Sequence, residues 1–253
     1  MRIQLVRHAT LNVEYGGHRF LVDPMLDDAG AREAIENSPN PRRNPLVGLP
    51  VAAQDVVKGV DAVLVTHTHS DHWDKTASEI LSKSVPLFGQ PADEAKFRGQ
   101  GFMEVRPIQD SARFGDVEIV RTGGQHGTGK MAEMLAPVSG FVLRAQGEPT
   151  LYIAGDTVWC EDVRKALREC DPQVIVLNAG AAQFLEGGTI TMSADDVVTV
   201  CREAPKARIV AVHMEAINHC LLMREDLAFQ VEAARVAGQV AIPGDGEWVA
   251  LLK

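Results

Sequence analysis

Three of the chain's eight histidines fall between positions 67 and 72, in the run Thr66-His67-Thr68-His69-Ser70-Asp71-His72. Directly before it stands Ala62-Val63-Leu64-Val65, a short continuous apolar stretch that reads as a strand buried on both faces. A strand end holds the backbone fixed, and a tight loop behind it can aim alternate side chains at one point. His67 and His69, two apart, can converge on one cation, while Asp71 and His72 turn toward a second. Imidazole and carboxylate are ligands suited to Zn²⁺ and its neighbours. The bland alternative is a polar loop with chance histidines. A lone His-x-His would not exclude it; the added Asp and His in this register, after a buried strand, argue for metal.

The H-x-H-x-D-H pattern of His67, His69, Asp71 and His72 resembles the signature of the metallo-β-lactamase superfamily. That resemblance implies three further ligands, a His, an Asp and a His, each after a later strand. The chain offers His126 in Gly123-Gly124-Gln125-His126-Gly127, Asp156 in Gly155-Asp156-Thr157, and His213 after Ile209-Val210-Ala211-Val212. His219 competes with His213, which is favoured because an apolar strand leads straight into it. The implied fold is α+β, an αβ/βα four-layer sandwich of two mixed β-sheets with helices on the outer faces. The implied site lies at one edge between the sheets. His67, His69 and His126 would hold one divalent ion, Asp71, His72 and His213 a second, and Asp156 would bridge them. Zinc is the first metal to expect, with Mn²⁺ or Fe²⁺ as alternatives. The ligand set is similar to the glyoxalase II and lactonase branches rather than to lactamases with a Cys ligand. His8 in Val6-Arg7-His8-Ala9-Thr10 and the strand ending in Asp23-Pro24 resemble the ascorbate-6-phosphate lactonase-like group.

Two metals sharing a water lower its pKa toward ~7, which generates hydroxide at neutral pH. The resemblance therefore implies a hydrolase in which a metal-bridging hydroxide attacks a lactone, ester, amide or phosphoester. Asp71 could orient that hydroxide, and His8 and His219 are the candidates to protonate the leaving group. A metal-binding sensor or scaffold without hydrolysis is the competing class. Seven ligands free of Cys argue against it, because structural zinc sites are closed four-ligand clusters. A nuclease is the third reading, and charge weighs against it.

The elements that must position these residues follow from pattern. Ile3–Val6 and Arg19–Val22 read as two strands joined by a turn at Gly16-Gly17. Residues 36–50 carry Pro39, Pro41, Pro45 and Pro50 among asparagines and read as a long loop bordering the site, with Arg42 and Arg43 as its substrate contacts. A helix is expected over Lys75–Ser82 and a strand over Val85–Phe88. Strands are expected over Val117–Arg121, Gly140–Arg144 and Thr150–Ala154. Glu161–Glu169 reads as a helix, Val174–Leu177 as a strand, and Ser193 as the N-cap of a helix running to Glu203. Arg208–Val212 reads as a strand, Arg224–Ala237 as a helix, and Val240–Ile242 and Trp248–Leu251 as closing strands. Strands dominate early and strand–helix alternation dominates later, which suits helices packed outside two sheets.

Composition sets the outer bounds. The 253 residues are 45% hydrophobic and 23% charged, ordinary for one globular domain spanning 1–253. The net charge is −9, which speaks against nucleic acid as a partner. A small-molecule substrate is the expected partner. An anionic one is compatible, since a metal ion can reverse the local field. No run of about 18 apolar residues suggests a membrane span. Cys160, Cys170, Cys201 and Cys220 form no C-x-x-C pair, so a reducing, cytoplasmic setting is expected. A homo-oligomer is allowed.

Overall fold

The structure, a computed structural model, describes residues 1–249. Its first half builds one sheet from β1 (Arg2–Arg7), β2 (Thr10–Tyr15), β3 (His18–Val22), β4 (Ala62–Val65), β5 (Leu87–Gly89) and β6 (Val105–Pro107). The second half builds another from β7 (Ser111–Phe114), β8 (Val117–Thr122), β9 (Gly140–Arg144), β10 (Leu151–Ile153), β11 (Val174–Asn178), β12 (Arg208–Val212) and β13 (Val240–Ala241). The chain then returns, and β14 (Trp248–Val249) pairs antiparallel with β1. Each sheet is mixed: β1–β3 and β7–β10 run antiparallel as neighbours, while β3–β6 and β10–β13 run parallel.

Strand alternation explains why the two sheets stack. In β11, Val174 and Val176 join the core between the sheets, while Ile175 and Leu177 face outward into a second cluster. The central core sets Leu5, Val13, Phe20 and Leu64 of the first sheet with Ile119, Phe141, Ile153 and Val210 of the second. Burying each such side chain is worth about 1.5–3 kcal/mol. Outside the second sheet pack α5 (Glu161–Cys170), α6 (Ala194–Glu203) and α7 (Arg224–Ala233), through residues such as Val163, Leu167, Val197 and Leu227. Outside the first pack α1 (Ala53–Val57), α2 (Lys75–Ile80) and α3 (Glu94–Gly99), through Val56, Ala77 and Phe97. A further short helix, α4 (Lys130–Leu135), lies between β8 and β9 and buries none of its residues fully. The layers are therefore α/β/β/α, as the sequence suggested.

Local chemistry sets the ends. Ser193 caps α6 with a reciprocal pair: its Oγ accepts from Asp196 N at 3.2 Å, and Asp196 Oδ2 accepts from Ser193 N at 2.9 Å. α5 carries Glu161 and Asp162 in its first turn and closes on Asp171 at φ 43°.

Some expectations need correction. The Gly16-Gly17 turn does not join Ile3–Val6 to Arg19–Val22; it joins β2 to β3, with Tyr15 opposite His18. β2 alternates Leu11, Val13 and Tyr15 toward the core. Its junction with β1 is a compact turn at His8-Ala9 that no Gly, Pro or Asn announces. α2 stops at Ile80 rather than Ser82, and the strand expected over Val85–Phe88 forms as Leu87–Gly89. α7 ends at Ala233 and not Ala237, because Arg235 turns left-handed at φ 60°. The closing strand is described only over Trp248–Val249; Ala250 and Leu251 lie outside the described residues.

Candidate metal centre

Seven strand ends meet at one edge of the sandwich. β1 delivers His8, β3 delivers Asp23, and β4 runs into the loop 66–74. From the other sheet, β8 leads to His126, β10 to Asp156, β11 ends on Asn178, and β12 runs directly into His213. Within the loop, the amides of His72 and Trp73 both donate to the carbonyl of His69 at 2.9 Å, a turn that folds Asp71 and His72 back over the site. His8 and His213 are held by each other: His213 N donates to the carbonyl of His8 at 2.9 Å. Both take left-handed backbone, at φ 62° and 71°, and their rings stack 3.6 Å apart. Non-glycine residues in that region cluster where function over-determines them.

The side chains converge in groups. His67, His69 and His126 offer nitrogens within reach of one ion, and His8, Asp71, His72 and His213 form another group. Asp156 stands between them. Its Oδ2 lies 3.5 Å from His126 Nε2, 3.8 Å from His67 Nε2 and 3.2 Å from His72 Nε2, and its Oδ1 lies 3.3 Å from His213 Nε2. Asp71 Oδ2 lies 3.7 Å from His213 Nε2 and 3.9 Å from His72 Nε2.

Partners behind the rings fix which nitrogen faces inward. His72 Nδ1–H donates to Asp23 Oδ2 at 2.8 Å, and His126 Nδ1–H donates to the carbonyl of Ile190 at 2.8 Å. Thr66 Oγ1 donates to Asp23 Oδ2 and so accepts from His67 Nδ1–H at 3.1 Å. The Nε2 lone pairs of His67, His72 and His126 therefore all point into the site. His67 Nε2 lies 3.0 Å from His69 Nδ1, and His72 Nε2 lies 3.2 Å from His213 Nε2. Asn178 Nδ2 donates to Asp156 Oδ1 at 2.7 Å.

Charge makes the same demand. Asp23, Asp71 and Asp156 are buried carboxylates, and among the described residues no Lys or Arg forms an ion pair with any of them. Burial would push Asp71 and Asp156 up, but the imidazoles around them, His72 for Asp71 and His213 and His72 for Asp156, hold both well below the usual carboxylate range. Burial would push His72 down, yet Asp156, Asp71 and Asp23 together raise it well above the usual imidazole value. A cation-free cluster thus draws in a proton as its counter-charge. Converging lone pairs, fixed tautomers and buried carboxylates with no Lys or Arg partner among the described residues fit metal binding in this His/Asp cluster.

Residues 18–214 match the family model described as beta-lactamase superfamily domain. The chain belongs to that superfamily. A Bacillus subtilis (strain 168) member, UPF0173 protein YddR, is 37% identical over 250 residues, covering 98% of each chain. The crystal structure of an isothiocyanate hydrolase from Delia radicum gut bacteria superposes with a TM-score of 0.95 at 39% identity, over 99% of each chain. A possible metal-dependent hydrolase from Veillonella parvula DSM 2008 gives 0.96 at 38% identity, again over 99% of each chain. More distant superfamily members carry the description UPF0173 metal-dependent hydrolase, for example one from Azorhizobium caulinodans at 25% identity. The chain is thus a metal-dependent hydrolase by family. These names do not specify the ascorbate-6-phosphate lactonase group.

The superfamily site opens onto a cavity of about 190 Å³ whose lining combines His69, Asp71, His126 and His219 with Ile35, Leu135, Phe184 and Ile190. His219 is buried, its Nδ1 has no partner, and burial pushes its pKa down to about 4. His8 does not line the cavity. Its Nε2 donates to Asp71 Oδ2 at 3.3 Å, and burial, with His213 adding, keeps it neutral. The 36–50 loop does approach the site, since the side-chain nitrogen of Asn218 donates to the carbonyl of Asn40 at 2.6 Å and Asn44 Nδ2 donates to Asn218 Oδ1 at 2.7 Å. Its arginines do not. Arg43 pairs with Glu33 and donates to the carbonyl of Gly30, and Arg42 is exposed. Sequence reasoning missed the supporting partners. Asp23 was visible as a strand stop and as part of the resemblance but not as a partner of His72, Asn178 lay just past the strand expected over Val174–Leu177, and the Ile190 carbonyl carries no side-chain signal at all. No helix of the described residues is long and apolar enough to cross a membrane.

Proposed function

We propose that the chain is a dinuclear metal-dependent hydrolase of a small, uncharged electrophile. An isothiocyanate is the first candidate, with esters, lactones and amides next. His67, His69 and His126 would hold one ion, Asp71, His72 and His213 the other, and Asp156 would serve both. Zinc is the metal to test first. Bound there, two divalent ions would supply Lewis acidity and lower the pKa of water toward about 7. The observation that carries this reading is the set of buried carboxylates and inward-facing imidazole lone pairs that, among the described residues, no Lys or Arg neutralises.

The chain's own residues then divide the work. Asp71, fixed from behind by His8, orients the attacking water and takes its proton. His219, neutral at pH 7, stands in the cavity wall, where its ring can hydrogen-bond the substrate. Ile35, Leu135, Phe184 and Ile190 give that wall a large apolar part, and among the described residues no Lys or Arg lines it. An uncharged substrate suits such a wall better than a phosphoester does. The 39% identical neighbour supports the isothiocyanate choice. Water oxygen bonds to the central carbon, the nitrogen takes a proton, and the thiocarbamate so formed loses carbonyl sulfide to leave an amine.

The test is elemental analysis of purified protein beside an assay of amine release from 2-phenylethyl isothiocyanate, with an ester and lactone panel alongside. Two ions per chain, activity lost on chelation and activity restored by Zn²⁺ are expected. Fully loaded protein that turns over none of these compounds, or full activity without metal, would overturn the proposal.

A further inference from the structure

The apolar wall of the cavity at the metal centre has a second cavity next to it. This second cavity is larger, about 440 Å³, and the two share Leu135 and Phe184 as lining residues. Met131 and Met134 of α4 and Leu185 line the outer cavity as well, and Glu186 is its one charged residue. The rim is anchored, since Leu185 N donates to the carbonyl of Asn37 at 2.7 Å. Met134 is 76% exposed and Leu185 68% exposed. Single exposed apolar side chains are ordinary, but several converging on one groove mark a binding surface. The groove's size falls within the range of small-molecule sites.

We infer that this groove is the subsite for an apolar alkyl or aryl tail of the substrate, and that Met131, Met134 and Leu185 determine specificity. The inference rests on the hydrolase reading of the adjoining centre. Leu135 and Phe184 line both cavities, so the groove adjoins the reacting position, and a molecule reaching past these two side chains would place its electrophilic carbon inside and its tail outside. Methionine suits that task, since its unbranched side chain adapts to tails of different shape.

The experiment compares Zn²⁺-loaded wild type, Leu185→Asp and Met134→Asp on 2-phenylethyl and methyl isothiocyanate. The ratio of kcat/KM for the long over the short substrate is expected to fall about tenfold or more in both variants. Met103→Asp, at an equally exposed methionine between α3 and β6, is expected to keep the wild-type ratio. An unchanged ratio in the Leu185 and Met134 variants overturns the inference. So does a monomer–dimer change in sedimentation caused by Leu185→Asp with the ratio intact, which would make the groove a contact between two copies. A chemistry-free arm separates this inference from the proposed reaction. In protein labelled at the methionine methyl groups, inert 2-phenylethylurea is expected to shift the Met131 and Met134 resonances and not that of Met103. Shifts there with no turnover of either isothiocyanate would sink the substrate assignment and uphold the groove. No shift at millimolar ligand would sink the groove.

Discussion

Asp23→Asn separates the support of the site from its ligands. Asp23 has left-handed backbone at φ 43°, which asparagine tolerates, so the exchange alters only the carboxylate. Oδ1 accepts from Thr66 N at 2.7 Å, while Oδ2 accepts from Thr66 Oγ1 at 2.7 Å and from His72 Nδ1 at 2.8 Å. An amide can satisfy one side only. With its oxygen at the Oδ2 place, its NH₂ faces the Thr66 amide and strands a buried donor. With its oxygen at the Oδ1 place, its NH₂ faces His72 Nδ1–H. The ring then moves its proton to Nε2, where a lone pair is needed for metal. One stranded buried donor costs about 1–3 kcal/mol. At about 2–4 °C per kcal/mol for a chain of this size, the expected loss in Tm is about 4–8 °C for a cost of about 2 kcal/mol. Loss of such an orienting partner lowers metal affinity by about 10–100-fold. It should fall on the ion of His72 and leave that of His67, His69 and His126 nearly unchanged. Competition against a graded chelator, read by elemental analysis, should therefore show one ion leaving early. If both ions leave together at the wild-type chelator concentration and Tm is unchanged, Asp23 does not orient His72 and the tautomer argument fails.

His67→Ala should abolish hydrolysis and weaken chiefly one ion, whereas Asp156→Ala should release both; elemental analysis of the two proteins side by side checks the contrast. Arg42→Ala with Arg43→Ala should change kcat/KM less than twofold, because Arg43 is engaged with Glu33 and neither residue lines the cavity; a large rise in KM would return the loop's arginines to substrate binding. Burial, with the repulsion of Asp27 adding, raises Asp74 to about 6 against the donation of two amides and the charge of Arg32. The folded chain holds that proton more tightly than the unfolded one, so this contribution to stability is fully present below about 4 and is lost as pH rises through about 6. The difference in denaturant stability between wild type and Asp74→Asn should carry that slope, and a flat difference from pH 4 to 7 would refute it.

The candidate cluster at His67, His69, Asp71 and His72 could be picked out because four ligand-type side chains crowd one short run behind the apolar strand Ala62–Val65, whereas His126, Asp156 and His213 came from the resemblance, which asks for ligands after later strands. The cap of α6 was legible because Ser193 and Asp196 satisfy each other within four residues. What was not legible depends on contacts distant in the chain. β2 escaped because its turn is built by His8 in a left-handed conformation, stabilised by His213, a residue from the other sheet. The tautomer of His126 depends on a backbone carbonyl at Ile190, and side-chain identity does not encode that. Arg43 drew attention as a free guanidinium, and only the fold reveals Glu33 as its partner.

The division of the cluster between the two sheets has a mechanical meaning. His67, His69, Asp71 and His72 hang from the loop of one sheet, and His126, Asp156 and His213 hang from the other. Ions held among them would rivet the sandwich along the seam that its apolar core leaves open at that edge. The rivet would act on kinetics as well as equilibrium: before the sheets can part, the ions must leave or their ligands must break away. Loaded protein should therefore unfold much more slowly than stripped protein in the same denaturant, while refolding rates, set by the apolar core, stay close. A chain of this kind would survive by the slowness of its opening, and its lifetime would track the supply of metal.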